Sequence, residues 1–279
     1  MNSSIPNVTP KPNREWKRFR FPESLYPFGG WLLVLSFLAF SNNYLNIPLE
    51  RLPTMFGRIQ DVIVARYFPP DIAYIMDRTY AEYVVETIQM AYLGTLFGVL
   101  IALPLCWFGA YNMTPNRRLV YPLARFATMS ARAVHQIIWA LIFVAILGFG
   151  MLPGVIALTL GCLGFAGKLF AEEIEGINMG PVEAMRATGA NELQVMLFGV
   201  WPQIRVAITG ICIYTWDVTF RSATVVGFVG AGGMGFYLKR NVMQIETERV
   251  AAIILSILAL VLISETLSAY ARRKVRAMK

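Results

Sequence analysis

The sequence predicts an all-α membrane protein with about six transmembrane helices. Of its 279 residues, 56% are hydrophobic and only 15% are charged, whereas a soluble domain carries about 25% charged residues. The hydrophobic residues are gathered into long runs, and a spanning helix needs roughly 20 mostly apolar residues. These runs leave no room for a sizeable soluble domain. We therefore expect the chemistry that drives this protein to lie on other chains.

Six apolar runs are candidate transmembrane helices, five of them long and one shorter. The shorter run is the first, and Ala39-Phe40-Ser41 within it faintly resembles a signal-peptidase site. The long region that precedes this run favours an uncleaved anchor over a cleaved signal peptide. The six runs are Phe28 to Tyr44, Tyr83 to Tyr111, Phe126 to Leu147, Leu152 to Phe170, Gln203 to Val229 and Val250 to Tyr270.

The positive charge of the chain lies in clusters that flank these runs. The formal net charge is +8, and with six spans the clusters all fall on one side, as the positive-inside rule requires. We therefore expect a multi-pass membrane protein with both termini in the cytoplasm. The basic residues form no patch, which argues against nucleic-acid binding. The clusters are Lys11, Arg14, Lys17, Arg18 and Arg20, then Arg117, Arg118 and Arg125, then Arg272, Arg273, Lys274, Arg276 and Lys279.

The segments outside the core are short. Residues 1–27 contain five prolines and no apolar periodicity, which indicates a mobile cytoplasmic tail. In residues 54–67, the apolar side chains fall on one helix face and the charged side chains on another. This predicts an amphipathic helix, either at the outer surface of the membrane or packed on the bundle. Pro69-Pro70 ends it. The chain is thus divided into the tail, a first transmembrane helix with an external loop over 28–79, a core over 80–272 and a basic cytoplasmic tail over 273–279.

Small residues in the spans are interpreted as packing positions. Gly94 and Gly98 have the small-xxx-small spacing, and Gly161, Gly164 and Gly167 recur every third residue. Such positions let helix backbones approach closely where lipid supplies no hydrophobic drive. They indicate a packed bundle and carry little functional information.

Two glycine motifs resemble nucleotide sites and fail on inspection. Residues 164–168 lack the first glycine of a phosphate loop and have Leu169 where Ser or Thr is required. Residues 230–235 have dinucleotide-fingerprint spacing, but a membrane-length run precedes them where a short strand should stand. We expect a turn or bend there, at the outer end of the fifth span. His135 is single and is expected to mark a polar helix face, so no metal site is predicted; Cys106, Cys162 and Cys212 are expected to be buried free thiols.

The fifth run carries polar residues that a lipid-facing helix would not. Asp217 and Arg221 are four residues apart and can neutralise each other on one face of a helix. Charged side chains in a span usually face a cavity or a partner. One interpretation is a structural ion pair. The other is a translocation pathway for a charged solute, lined by Asp217, Arg221, Ser222 and Thr224.

The polar segment over 172–202 predicts a helical hairpin in the cytoplasm. Pro181 suits the first turn of a helix, with Glu183 near the positive end of its dipole. Gly189 supplies a left-handed stop. Asn191 can cap a second short helix, with Gln194 as its capping-box partner. A rigid, locally capped hairpin between two spans indicates docking to a soluble partner.

These residues resemble a known family. Glu183-Ala184-Met185-Arg186-Ala187-Thr188-Gly189, followed by Pro202, is similar to the EAA loop of the membrane subunits of bacterial ATP-binding-cassette (ABC) importers. Met185 replaces the second alanine of the pattern, and Gly199 and Trp201 replace an isoleucine and a leucine before the proline. Residues 168–175, 186–190 and 221–233 resemble the phosphonate branch of these permeases, which also includes importers of phosphite and hypophosphite.

This resemblance implies a type I ABC importer permease fold and a non-catalytic subunit. It implies two permease copies, with a homodimer expected, two ATPase subunits that bind ATP and Mg, and an external solute-binding protein. It also implies that the chain itself holds no cofactor. The ATPase-coupling residues would be Glu183, Ala184, Met185, Arg186, Gly189 and Pro202, with Glu183 in contact with the ATPase.

The sequence leaves alternatives open. An ion-coupled secondary transporter could use Asp217 as its proton site, and an ABC permease for another small solute would show the same hairpin. A membrane enzyme is disfavoured, because the spans hold one histidine and no paired carboxylates. Phosphonate, phosphite and hypophosphite are not separated, since a binding protein chooses the solute before the permease meets it.

Overall fold

The protein is helical throughout the part that the computed structural model describes, residues 25–45 and 52–276, where no strand occurs. This confirms the all-α prediction. The chain divides into two units, residues 1–61 and 62–279. The helices are α1 Leu25–Leu45, α2 Leu52–Val62, α3 Ile72–Ile75, α4 Arg78–Gly109, α5 Val120–Ala133, α6 Gln136–Leu147, α7 Met151–Glu175, α8 Met179–Ala187, α9 Glu192–Gln194, α10 Trp201–Val226, α11 Gly233–Met243 and α12 Thr247–Arg276.

The first unit contains α1 and all but the last residue of α2. The 21 residues of α1 span about 31 Å at 1.5 Å per residue, enough to cross the hydrocarbon core of a bilayer. Its large apolar side chains, such as Trp31 and Phe37, are exposed on all sides, which suits a helix surrounded by lipid. The helix begins at Leu25, so the predicted tail is too long by three residues; the rest of the tail lies outside the described residues. That the first helix is an uncleaved anchor stays a prediction.

The predicted amphipathic helix is present. α2 continues as a π-helical turn over Ile63–Tyr67, and the chain becomes extended at Phe68, directly before Pro69-Pro70. The helix therefore ends where the sequence predicted. Its position relative to a membrane stays a prediction.

Five helical segments in the described part are long and apolar enough to span a membrane, and the α5–α6 pair would make a sixth. The candidate span over 126–147 is not one continuous helix, because α5 and α6 meet at an angle of 86°. Val134 and His135 have extended backbones, and His135 Nδ1 accepts a hydrogen bond from the Ile137 N–H at 3.4 Å. His135 is therefore the N-cap of α6, and the predicted polar helix face is also wrong. The break contains neither Gly nor Pro, which is why the apolar run concealed it.

The long helix α7 is the centre of the second unit and packs against α4, α5, α6 and α10. A Cβ placed on Gly94 of α4 would lie 2.7 Å from Leu158 Cβ, and one on Gly98 would lie 2.5 Å from Cys162 Cβ. On another side of α7, a Cβ on Gly164 would lie 2.8 Å from the backbone nitrogen of Arg132. The predicted role of these glycines in close helix packing is confirmed.

The second unit has two ends, which we name by their content. The hairpin end holds α8 and the basic segment after α4; there Arg117 stacks on Tyr111, 4.3 Å from the ring centroid, and Arg272 lines a cavity with Glu173. The glycine end holds residues 148–151 and 230–235, which meet through the Gly150 N–H and the Gly230 carbonyl at 3.3 Å. Two of the three predicted basic clusters thus share one end of the unit. The first cluster lies outside the described residues.

Candidate functional site

The first helix of the hairpin, α8, begins earlier than its proline suggested. Asn178 is the N-cap, and its Oδ1 accepts a hydrogen bond from the Gly180 N–H at 3.0 Å. Pro181 follows within the first turn, where its missing N–H has no helical partner to lose. The helix ends at Thr188, and Gly189 adopts a left-handed φ of 81°. The predicted start and stop signals are therefore confirmed.

One face of α8 is seated on the helical core. Val182 is fully buried and Met185 packs beside it, in a cluster that includes Ile174, Val195 and Val200. A Cβ on Gly199 would lie 3.4 Å from Met185 Sδ, so a larger residue there would crowd α8. Met185 and Gly199, which both depart from the family pattern, therefore face each other.

The second half of the hairpin is also capped as predicted, but it is not a separate short helix. The Asn191 N–H donates to Gln194 Oε1 at 3.0 Å, and the Gln194 N–H donates to Asn191 Oδ1 at 2.8 Å. The chain then stays helical from Glu192 to the end of α10 at Val226. Pro202 therefore lies within the fifth span, as the second residue of α10, and does not close the hairpin. A widened π-helical turn over Val195–Val200 precedes it and accommodates a residue that has no N–H.

The opposite face of α8 is open. Glu183, Ala184 and Arg186 are exposed. Arg186 Nη2 lies 3.1 Å from Glu192 Oε2, which bridges the two sides of the turn. Glu183 makes no hydrogen bond or ion pair within the described residues, so its carboxylate is available to a partner. Of the predicted coupling residues, Met185 alone is directed towards the core.

Polar contacts tie the base of the hairpin to α5, α7 and α10. Gln203 of α10 accepts from the Asn178 N–H at 3.0 Å and donates to the Asn178 carbonyl at 3.1 Å. Glu175, at the end of α7, accepts from Arg125 Nη2 at 2.7 Å and from the Tyr111 N–H at 2.9 Å. Asn112 donates to the Ile174 carbonyl at 2.7 Å. A displacement of the hairpin would therefore be transmitted to α7 and α10.

Sequence reasoning missed these anchors. Glu175 carried a usable signal, because a carboxylate at a helix C-terminus is unfavourable unless a cation neutralises it. Gln203 and Asn112 carried none, since their partners are 25 and 62 residues away.

The polar residues of the fifth span form the predicted ion pair. Arg221 Nη2 lies 2.9 Å from Asp217 Oδ2, and the Asp217 side chain is 6% exposed whereas that of Arg221 is 47% exposed. The hydroxyls of Ser222 and Thr224 donate to carbonyls of their own helix, at 3.0 and 2.7 Å. The solvent-exposed charge of this group is therefore the positive charge of Arg221. A role of these residues in translocation stays a prediction.

The glycine end is a sharp bend, as expected from residues 230–235. Gly230, Gly232 and Gly233 have φ values of 109°, 89° and 66°. A Cβ on Gly235 would lie 2.1 Å from the Thr224 carbonyl oxygen, so α11 folds directly against α10. The Gly233 N–H donates to Glu86 Oε2 and the Met234 N–H to Thr87 Oγ1, both at 2.8 Å. These two N–H groups at the start of α11 are thus not available to a phosphate.

Comparison with known proteins gives consistent results. The family model described as binding-protein-dependent transport system inner membrane component matches residues 94–277. The phosphite transport system permease protein PtxC of Stutzerimonas stutzeri is 40% identical over 205 residues, which are 74% of this chain and 74% of that protein. The putative phosphite transport system permease protein HtxC of the same organism is 33% identical over 234 residues, 84% of this chain and 82% of that protein.

A permease named for phosphate import and a solved ABC transporter structure are also similar to this chain. The phosphate-import permease protein PhnE of Mycolicibacterium smegmatis is 38% identical over 189 residues, 68% of this chain and 35% of that protein. A chain of the MetNI methionine ABC transporter in inward-facing conformations superposes with a TM-score of 0.60 at 20% identity, covering 72% of this chain and 99% of that one. This confirms the predicted fold, the permease fold of a type I importer.

Proposed function

The chain belongs to the family of binding-protein-dependent transport system inner membrane components, and from that premise we propose that it is the permease of an ATP-driven importer of phosphonate or a related oxyanion, phosphite or hypophosphite. The observation that carries the substrate class is the 40% identity to a phosphite permease over 74% of both chains. Membership in a binding-protein-dependent family also disfavours the secondary-transporter alternative. An importer permease for a different solute remains the competing outcome of the experiment below.

The complex that we propose contains two copies of this permease, two ATPase subunits and an external solute-binding protein. ATP and Mg would be bound by the ATPase subunits. The hairpin end would face the cytoplasm, together with both termini, in a bacterial inner membrane. This orientation is supported by the basic residues gathered at the hairpin end, because cytoplasmic loops carry an excess of Lys and Arg.

The hairpin would couple ATP hydrolysis to transport. Its exposed face offers Glu183, Ala184 and Arg186 to a groove of the ATPase, while Gly189 and the Asn191 capping box keep the turn rigid. When the ATPase subunits close, the hairpin moves, and Gln203 and Glu175 transmit that movement to α10 and α7. Alternating access of the two permease copies follows from this rigid connection.

A Glu183→Ala variant tests the coupling role. Because the side chain is exposed and has no partner within the described residues, we expect a change in stability of less than about 0.5 kcal/mol. ATPase co-purification and phosphite uptake by cells should both fall at least tenfold. Glu248→Ala, which removes an exposed carboxylate at the start of α12, is the matched control and should keep its ATPase. A well-expressed Glu183→Ala variant with normal uptake would falsify the coupling role, and a wild-type complex that imports none of the three oxyanions refutes the substrate class.

We also propose that Asp217, Arg221, Ser222 and Thr224 line the pathway, with Arg221 supplying the attractive charge. The half-exposed guanidinium beside a nearly buried carboxylate supports this role. The Asp217→Arg, Arg221→Asp double variant keeps the ion pair and reverses which charge is exposed. We expect it to fold and to lose most of its uptake of phosphite; restoration of full uptake by the double swap shows that the pair is only structural.

A further inference from the structure

A cavity of about 370 Å³ lies between α5 and α7, and neither the hairpin nor the fifth span uses it. Its lining contains three cationic side chains, Arg125, Arg132 and Lys168, together with Thr128 and Gly164, and includes no carboxylate. Three like charges around one cavity repel one another. Such a group calls for an anionic occupant.

The antiparallel packing of α5 and α7 brings these cations together. Arg132 is level with Gly164, where a Cβ would lie 2.8 Å from the Arg132 nitrogen, and Thr128 is level with Gly167, where the distance to Thr128 Cγ2 would be 3.0 Å. Arg125 precedes Arg132 by seven residues, two turns of helix and about 10.5 Å of rise, so both lie on one face. Lys168 lies one turn after Gly164 on α7. Gly164 and Gly167, in the segment that resembles a phosphate loop, thus allow α5 and α7 to approach closely and bring the three charges together.

The three cations are incompletely neutralised. Arg125 is bound to Glu175 at 2.7 Å, yet its Nε is buried without a hydrogen-bond partner. Lys168 lies 3.3 Å from Glu172, and both side chains are nearly half exposed, so this ion pair is weak. Arg132 has no ion pair or side-chain hydrogen bond within the described residues. The cavity therefore has an excess of positive charge and at least two groups with free donors.

We propose that this cavity, which we call the basic cavity, binds a tetrahedral phosphorus oxyanion. The planar guanidinium of Arg132 donates two parallel hydrogen bonds to such a group, and the Lys168 ammonium adds a point charge. A water molecule occupies about 30 Å³ of liquid, so 370 Å³ holds the anion together with part of its hydration shell. The same chemistry is offered by the transported oxyanion and by the phosphate of an anionic phospholipid headgroup. The version of this proposal in which the occupant is the transported oxyanion rests on the proposed function.

The position of the basic cavity suits the last part of an inward passage. Its lining extends along α5 from Arg125, which is bound to Glu175 at the base of the hairpin, to Ala133, next to the break at Val134. An occupant that bridges Arg132 and Lys168 therefore connects α5 to α7 beside the hairpin. Its release would be sensitive to the movement of that hairpin.

Binding of inorganic phosphite to the permease–ATPase complex in nanodiscs tests the proposal. The affinity is measured by phosphorus NMR for the wild type, Arg132→Gln, Lys168→Gln and the double variant. We expect at least a tenfold loss for Arg132→Gln and a larger one for the double variant. Arg118→Gln, an exposed arginine of the loop after α4, is the matched control and should bind as the wild type does. Arg132→Lys preserves the charge, loses the bidentate geometry, and should fall between the two.

The lipid form is measured on the same variants, by counting phosphatidylglycerol molecules retained on the purified complex by mass spectrometry. Loss of phosphite affinity with unchanged lipid retention assigns the basic cavity to the transported oxyanion, and the reverse assigns it to the headgroup. If every variant matches Arg118→Gln in both measurements, the proposal is overturned. If Arg132→Gln fails to fold, phosphite affinity and lipid retention are compared for Arg132→Lys and Lys168→Gln instead, and the proposal is judged by the same criteria. Phosphite uptake by the wild type is recorded separately, so failure of the proposed function is distinguishable from failure of this site.

Discussion

The hairpin end and the glycine end of the second unit are both turns at the ends of long helices, yet different contacts stabilise them. At the hairpin, the contacts that shape the turn join residues two to six positions apart, such as Asn191 with Gln194 and Arg186 with Glu192. At the glycine end, the N-terminus of α11 is held by Glu86 and Thr87, each 147 positions from its partner. A locally built turn keeps its form while it moves. A turn built from distant contacts is a fixed part of the bundle.

This difference matches the coupling function proposed for the hairpin. A coupling element must bind a soluble partner and move as a body, so its shape has to be independent of the helices that it pulls. The glycine end has little conformational preference of its own, because glycine adopts positive and negative φ values about equally. Its bend exists because α4 and α10 surround it. Substitution of one glycine at each end therefore has different consequences.

The largest effect is expected for Gly235→Ala at the glycine end. The added Cβ would lie 2.1 Å from the Thr224 carbonyl oxygen and 2.6 Å from the Phe228 nitrogen. Both are backbone atoms of the facing helical segment, so nothing flexible can give way, and we expect a loss of about 3 kcal/mol. Thermal unfolding of the purified permease in detergent measures this loss. Gly210→Ala is the control, because no atom lies within 4 Å of its Cβ position. Equal unfolding temperatures for the two variants contradict the proposed crowding.

A smaller and local effect is expected for Gly189→Ala in the hairpin. Nothing lies within 4 Å of the added Cβ, and the cost arises from the left-handed φ of 81°, about 1–2 kcal/mol for an L-residue. Gly189→Asn should cost less, because asparagine tolerates this conformation. Hydrogen exchange should show faster opening confined to residues 179–195. Faster exchange at the glycine end as well would show that the two turns are not independent.

The caps of the hairpin were predictable because their signals act over one helical turn. The Asn191 capping box and the Gly189 stop occur where the sequence placed them. The small-residue spacings at Gly94 and Gly164 were equally informative, since a membrane helix that lacks a Cβ at regular intervals is built for close contact. What these patterns did not indicate was the partner of each glycine.

The errors also have a common physical origin. The break at Val134 and His135 was hidden because a residue distant in sequence supports it: Gln136 lies against Gly161, where a Cβ would be 2.2 Å from Gln136 Nε2. Pro202 was taken as the end of the hairpin because it matches the last residue of the EAA-loop pattern, whereas a π-helical turn lets the helix pass through it. The basic cavity was not found for the same reason, since Arg132 and Lys168 lie on different helices.

The sequence by itself determined the helical membrane class, the capped hairpin with its exposed glutamate and the resemblance to an importer family, because composition, capping and motif spacing are properties of short windows. Only the tertiary structure decided which helices the glycines join, where the third span bends and how Arg125, Arg132 and Lys168 come to line one cavity. These depend on which distant backbones come into contact, and that is settled by packing across the whole bundle.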